Sequence, residues 1–161
     1  MAERHRPSAL EKATELLARR AHFERELERK LDTRGYPKSE VAAALARLKE
    51  LGFLDDHNAS RELVESRLRR GGEGKRRLAF ELARRQARPE AAAEALATLD
   101  PAEELARARA LAEQFRSRGS EDPAALGRRL DRKGFSRQVI LTVLEELGGE
   151  TEGIPEEDEP P

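Results

Sequence analysis

The sequence predicts an all-α protein, an elongated tandem array of three three-helix repeats, and three observations carry that prediction. Leu27, Leu31, Leu45 and Leu48 recur as Leu78, Leu82, Leu96 and Leu99, and again as Leu126, Leu130, Leu144 and Leu147, at offsets of 51 and then 48 residues. A period of that length means a row of similar modules. Leucine, alanine, glutamate and arginine, all strong helix formers, dominate the chain. With 39% charged and only 4% aromatic residues, several small cores are better supplied than one large one. Such a row displays a long polar surface, which suits a binder of something extended better than a pocketed enzyme.

The elements follow in order. Ser8 to Ala21 reads as a helix: Ser8 caps it with Glu11 three positions on, Leu10, Ala13, Leu16 and Leu17 form its apolar stripe, and Arg19 and Arg20 suit its negative end. A second helix runs from Glu24 to Thr33 with Leu27 and Leu31 one turn apart, and Gly35 stops it. A third starts at a Ser39 cap, buries Val41, Ala44, Leu45 and Leu48, and ends before Gly52. The second repeat offers Ala59 to Arg69, a flexible turn at Gly71-Gly72-Glu73-Gly74, Lys75 to Arg85, and Pro89 to Leu99 with proline at a helix start. Gln86 and Ala87 stand where the other repeats carry Gly35-Tyr36 and Gly134-Phe135, so the fifth helix is expected to end less sharply. The third repeat comprises Ala102 to Arg118, a helix capped by Asp122-Pro123 and closed by Gly134, and Ser136 to Leu147. The resulting organisation is a flexible N-terminus (1–9), repeats at 10–57, 58–100 and 101–148, and a tail (149–161) that is acidic, proline-bearing and expected to be disordered.

Most chemistry lacks a carrier. There is no cysteine, and His5, His22 and His57 have no second ligand at metal spacing, so no metal or cofactor is expected. Gly71-Gly72-Glu73-Gly74-Lys75 lacks the frame and hydroxyl of a phosphate-binding loop, and no serine lies near a histidine in the repeat pattern. No catalytic residue is expected, and the chain is read as no enzyme. It has no apolar signal core and no run long enough to span a membrane, which predicts a cytoplasmic protein.

The formal net charge of −1 conceals an asymmetry: eight carboxylates follow Leu144 with no cation among them, leaving 31 cations against 24 anions before them. The stretch from Arg67 to Arg88 holds nine cations against Glu73 and Glu81. Charge runs on helices are commonly solvated faces. A cluster of this density favours an anionic partner. Arg67, Arg70, Lys75, Arg76, Arg77, Arg84, Arg85 and Arg88 are the candidate residues for binding DNA or another anionic partner, able to hold phosphates without reading sequence. An acidic protein surface is an equally suitable partner, and with so few exposed aromatics base stacking would be weak.

The block Leu51-Gly52-Phe53-Leu54-Asp55-Asp56-His57-Asn58-Ala59, preceded by Leu27-Glu28-Arg29-Lys30-Leu31 and Arg34-Gly35-Tyr36, resembles the RecX family of recombinase regulators. The resemblance spans Leu10 to Leu147. It implies tandem three-helix repeats and a monomeric regulatory protein that binds the RecA filament on single-stranded DNA. It further implies inhibition of ATPase, strand exchange and co-protease activities, with weak affinity for single-stranded DNA alone. A stand-alone nucleic-acid-binding module without sequence specificity is the alternative. Physically, Gly52 ends a helix, Phe53 and Leu54 pack the joint between modules, and Asp55 or Asp56 caps the next helix. Two departures from the family are Phe23, where a capping Ser is usual, and Gly74-Lys75, where Gly-Pro is usual. The first predicts fraying at the start of the second helix.

Overall fold

The computed structural model describes residues 6–119 and 122–148. The expected tail at 149–161 and the first five residues lie outside them. The described residues form α1 (Ala9–Arg19), α2 (Glu24–Thr33), α3 (Lys38–Glu50), α4 (Asp56–Arg70), α5 (Lys75–Arg84), α6 (Pro89–Ala97), α7 (Pro101–Ser117), α8 (Pro123–Arg132) and α9 (Arg137–Glu146), with no strand among them. The all-helical reading holds.

Two compact units emerge. One takes the described residues up to Leu63 together with Leu82–Ala95; the other takes Val64–Glu81 and the described residues from Leu96 onward. The first unit packs Ala9, Ala13 and Leu16 of α1 with Leu27 and Leu31 of α2, Val41, Ala44, Leu45 and Leu48 of α3, and Tyr36 and Leu54. The second packs Ala108 and Ala112 of α7 with Leu126 and Leu130 of α8, Phe135, and Ile140, Val143 and Leu144 of α9. Small alanines on α1 and α7 let the leucine-bearing helices approach closely, and burial of these apolar faces supplies the driving force.

The expected caps at Ser8, Asp122 and Ser136 are present. Ser8 and Glu11 form a reciprocal capping box, Asp122 accepts from the N–H groups of Ala124 and Ala125, and Ser136 Oγ accepts from Val139 N–H at 3.3 Å. Ser39 is not a cap. Pro37 holds the extended cap geometry before α3, without a side-chain bond, because proline's fixed φ suits the entry to the helix. Asp55 Oδ1 accepts from His57 and Asn58 N–H groups and so starts α4 three residues earlier than expected.

Three further expectations are corrected. Gln86 adopts φ 63°, the left-handed conformation otherwise taken here by glycines. Its N–H reaches Ala83 O and that of Ala87 reaches Leu82 O, the same closure that Gly35 and Tyr36 make, so α5 ends as sharply as its counterparts. Phe53 does not pack a joint: it is 65% exposed, while Leu54 alone enters the core. Finally, the N-terminus of α2 is not bare. Phe23 offers no side-chain bond, but Asp56 Oδ1 accepts from Glu24 N–H at 2.8 Å.

That last contact has a repeat counterpart. Glu104 lies 48 residues after Asp56 and Lys75 lies 51 after Glu24, and Glu104 Oε1 accepts from Lys75 N–H at 2.7 Å. In each case a nearly buried carboxylate in the first turn of the helix that follows a three-helix set caps the middle helix of that set. In the third helix triplet Asp122 caps α8 from within.

Candidate functional site

The second repeat's cations divide between the two units. In the second unit, Arg67 rises from the last turn of α4 and meets two carboxylates, Glu73 at 3.2 Å and the buried Glu81 at 3.1 Å. Arg77, one turn before Glu81 on α5, also approaches it at 3.6 Å and lies over the Phe80 ring. Arg76 pairs with Asp131 at 2.9 Å and donates to the Phe135 carbonyl. These three are therefore tied into the fold. Arg70 and Lys75 are exposed, with their charged groups engaged by no carboxylate among the described residues.

In the first unit, Arg84 and Arg88 are exposed, while Arg85 turns inward. Its guanidinium donates to Ala21 O at 2.7 Å and Glu26 at 3.1 Å and lies 5.0 Å from the centroid of the fully buried Phe23 ring. Glu26, also buried, is held by Arg20 and Lys30 as well. Burial pushes its carboxyl up, but the Arg20 hydrogen bond and the surrounding cations more than offset this and leave it below the ordinary carboxylate value. His22 completes the network: its Nδ1 bonds Arg20 O at 2.9 Å and its Nε2 faces Lys30 Nζ at 2.8 Å. Accepting from an ammonium fixes Nδ1 as the protonated nitrogen. Burial pushes the His22 pKa down.

Of the eight sequence-level candidates, the structure gathers Arg67, Arg76 and Arg77 into intramolecular pairs of the second unit and Arg85 into that of the first. Arg70, Lys75, Arg84 and Arg88 are exposed, as Arg76 and Arg77 also are despite their ion pairs. Sequence reasoning passed over the cations of α8 and its end, Arg128, Arg129, Arg132 and Lys133, all exposed. Their density over six residues was visible, but their approach to Arg77 depends on tertiary folding. Among the described residues no cluster of His, Asp or Glu has the form of a metal site, and no helix is long and apolar enough to cross a membrane.

Comparison with known proteins is consistent across sequence and fold. The family model for the RecX first three-helix domain matches residues 9–48. The regulatory protein RecX of Mycolicibacterium smegmatis is 37% identical over 147 residues, spanning 85% of this chain and 78% of that protein. The crystal structure of RecX from Lactobacillus salivarius superposes with a TM-score of 0.79 at 21% identity, covering 87% of this chain and 94% of that one. A second crystal structure of a regulatory protein RecX gives 0.75 at 20% identity, over 85% and 71% of the respective chains.

Proposed function

The chain belongs to the RecX family of regulatory proteins, and from that premise we propose that it is a non-enzymatic, cytoplasmic monomer that binds the RecA filament on single-stranded DNA. Bound there, it inhibits ATP hydrolysis, strand exchange and co-protease activity, and so restrains recombination, repair and the damage response. The observation that carries the reading is the 37% identity to a RecX protein across 85% of the chain.

The surface chemistry supports it. Exposed cations recur along the repeat helices, as binding to the phosphates of an anionic polymer requires. Each of the proposed repeats at 10–57, 58–100 and 101–148 carries exposed cations of its own. The alternative, a stand-alone binder of nucleic acid, draws on the same cations and is separated by experiment.

The decisive measurement titrates the protein into a RecA ATPase assay on single-stranded DNA and measures binding to the naked DNA in parallel. Inhibition is expected at concentrations well below those that coat the DNA. Inhibition only at coating concentrations would assign the activity to the naked strand. Replacing the exposed pair Arg70 and Lys75 by alanine should raise the inhibitory concentration roughly tenfold, about 1.4 kcal/mol, with helicity by circular dichroism unchanged. Undiminished inhibition would remove these two from the contact surface. Arg67, Arg76 and Arg77 are poorer probes, since their removal strands buried or partnered carboxylates within the second unit.

A further inference from the structure

The second unit contains a cleft of about 420 Å³ lined by Glu73, Arg77, Phe115, Arg129, Arg132 and Lys133. Four cations face one carboxylate. Such an excess inside a concave site is unusual when the first unit, at corresponding repeat positions, is balanced. There Arg85 meets the carboxylate of Glu26 at 3.1 Å. The repeat offsets carry Arg85 onto Lys133 and Glu26 onto Arg77. Where one unit places an acid to neutralise an arginine, the other places a second cation, and both line the cleft.

We infer that this cleft is a binding site for a nucleotide unit of single-stranded nucleic acid, with the phosphodiester held by Arg77, Arg132 and Lys133. The inference rests on the reading of the chain as a binder of nucleoprotein and names the residues that touch the strand. Arg132 and Lys133 are exposed cations with no ion-pair partner among the described residues, as an anionic ligand requires, and two further features select a nucleotide over an acidic peptide. Arg129 lies 5.1 Å from the centroid of the half-buried Phe115 ring, giving a guanidinium backed by an aromatic face on which a base can stack. Glu73 Oε1 accepts from Arg67, but its buried Oε2 has no donor. Glu73, the one carboxylate of the lining, offers acceptor chemistry to the amino or ring N–H of a base, a donor that an ionised acidic side chain lacks.

The backbone around the cleft is rigid for a stated reason. Gly74 N–H donates to Lys133 O at 2.9 Å and Arg76 N–H to Gly134 O at 3.0 Å. A Cβ at Gly74 would fall on the Gly134 carbonyl, and one at Gly134 on the backbone nitrogen of Arg77. The glycine that reads in sequence as part of a flexible turn is therefore a buried close-approach point. It seats the start of α5 against the end of α8 and brings Arg77 beside Lys133.

The test measures fluorescence anisotropy of a labelled single-stranded oligonucleotide with the full chain and without recombinase, between about 50 and 200 mM salt. Arg132→Ala with Lys133→Ala is expected to weaken binding about tenfold at low salt and to flatten the slope of log affinity against log salt by about 1.4, two contacts at roughly 0.7 each. Arg29→Ala with Lys38→Ala removes the same charge from exposed positions of the first unit and is expected to change neither by more than about twofold. Equal loss in the two double variants would reduce the effect to net charge and overturn the site, as would an unchanged slope in Arg132→Ala, Lys133→Ala. Competition by polyglutamate as effective as that by unlabelled oligonucleotide would overturn it in favour of an acidic protein. Recombinase ATPase inhibition, measured on the same preparations, separates the two readings. Wild-type inhibition with cleft-independent DNA binding sinks only the cleft, whereas absent inhibition with cleft-dependent DNA binding sinks only the filament assignment.

Discussion

His22 is enclosed in the first unit, 3% exposed, with Lys30 on Nε2, the Arg20 carbonyl on Nδ1, and Glu26, Arg20 and Arg85 gathered around the same point. Its folded pKa lies below the ordinary 6.5. A depressed value means that the unfolded chain takes up the proton more readily, so stability is complete above pH 6.5 and falls as the pH drops through that value toward the folded pKa. Glu26, also depressed, acts in the same direction at lower pH, its contribution being lost below the ordinary carboxylate range. The melting temperature should therefore decline from pH 7 to about 5, and His22→Gln, which removes the titrating ring, should flatten that decline. A parallel decline in the variant would place the effect elsewhere. None of this was readable in the sequence, where His22 is a lone histidine beside an arginine. Its partners lie 2 and 8 residues away, but enclosure comes from tertiary packing. Phe53 shows the converse: an aromatic after a helix-ending glycine reads as packing, yet Leu54 takes the buried place and leaves Phe53 outside.

Helix existence was legible because every helix carries leucines or alanines at helical spacing and most boundaries carry a local signal. Ser8, Gly35, Gly52, Asp122, Gly134 and Ser136 act where the sequence puts them. What escaped local reading was capping across repeats, since Asp56 and Glu24 are 32 residues apart and Glu104 and Lys75 are 29 apart. Asp56 serves two elements. Oδ1 accepts from Glu24 N–H at the start of α2, and Oδ2 from Arg88 N–H just before α6. Asp56→Ala removes both acceptors and should lower stability by roughly 2 kcal/mol, about one per lost cap, read from urea unfolding. Glu104→Ala frees only Lys75 N–H and should cost roughly 1 kcal/mol, with faster amide exchange confined to the first turn of α5. If Asp56→Ala unfolds at the wild-type urea midpoint, or if Glu104→Ala leaves the Lys75 amide protected, these carboxylates are bystanders rather than the devices that hold successive repeats in register.

For the molecule as a whole, the proposed binding of a polyanion rests on a charge balance that helix geometry does not set. The formal charge is −1, but the carboxylates Glu150, Glu152, Glu156, Glu157, Asp158 and Glu159 fall in the last twelve residues. Ending the chain at Gly149 removes these six and takes the formal charge to +5. The exposed cations on α4, α5 and α8 would then act without that opposing field. Because charges separated by more than about 10 Å are screened near 0.1 M salt, the effect of so distributed a change must be largest at low ionic strength. The shortened chain should bind single-stranded DNA on the order of tenfold more tightly at about 50 mM salt, mainly through faster association. The advantage should shrink toward none at about 200 mM. Stopped-flow anisotropy at the two salt concentrations resolves association from dissociation. Equal affinity of the two chains at low salt would mean that the acidic residues exert no effective field on the cationic faces. A gain that persisted undiminished at high salt would point instead to a direct contact made by the tail, because only a short-range contact escapes screening.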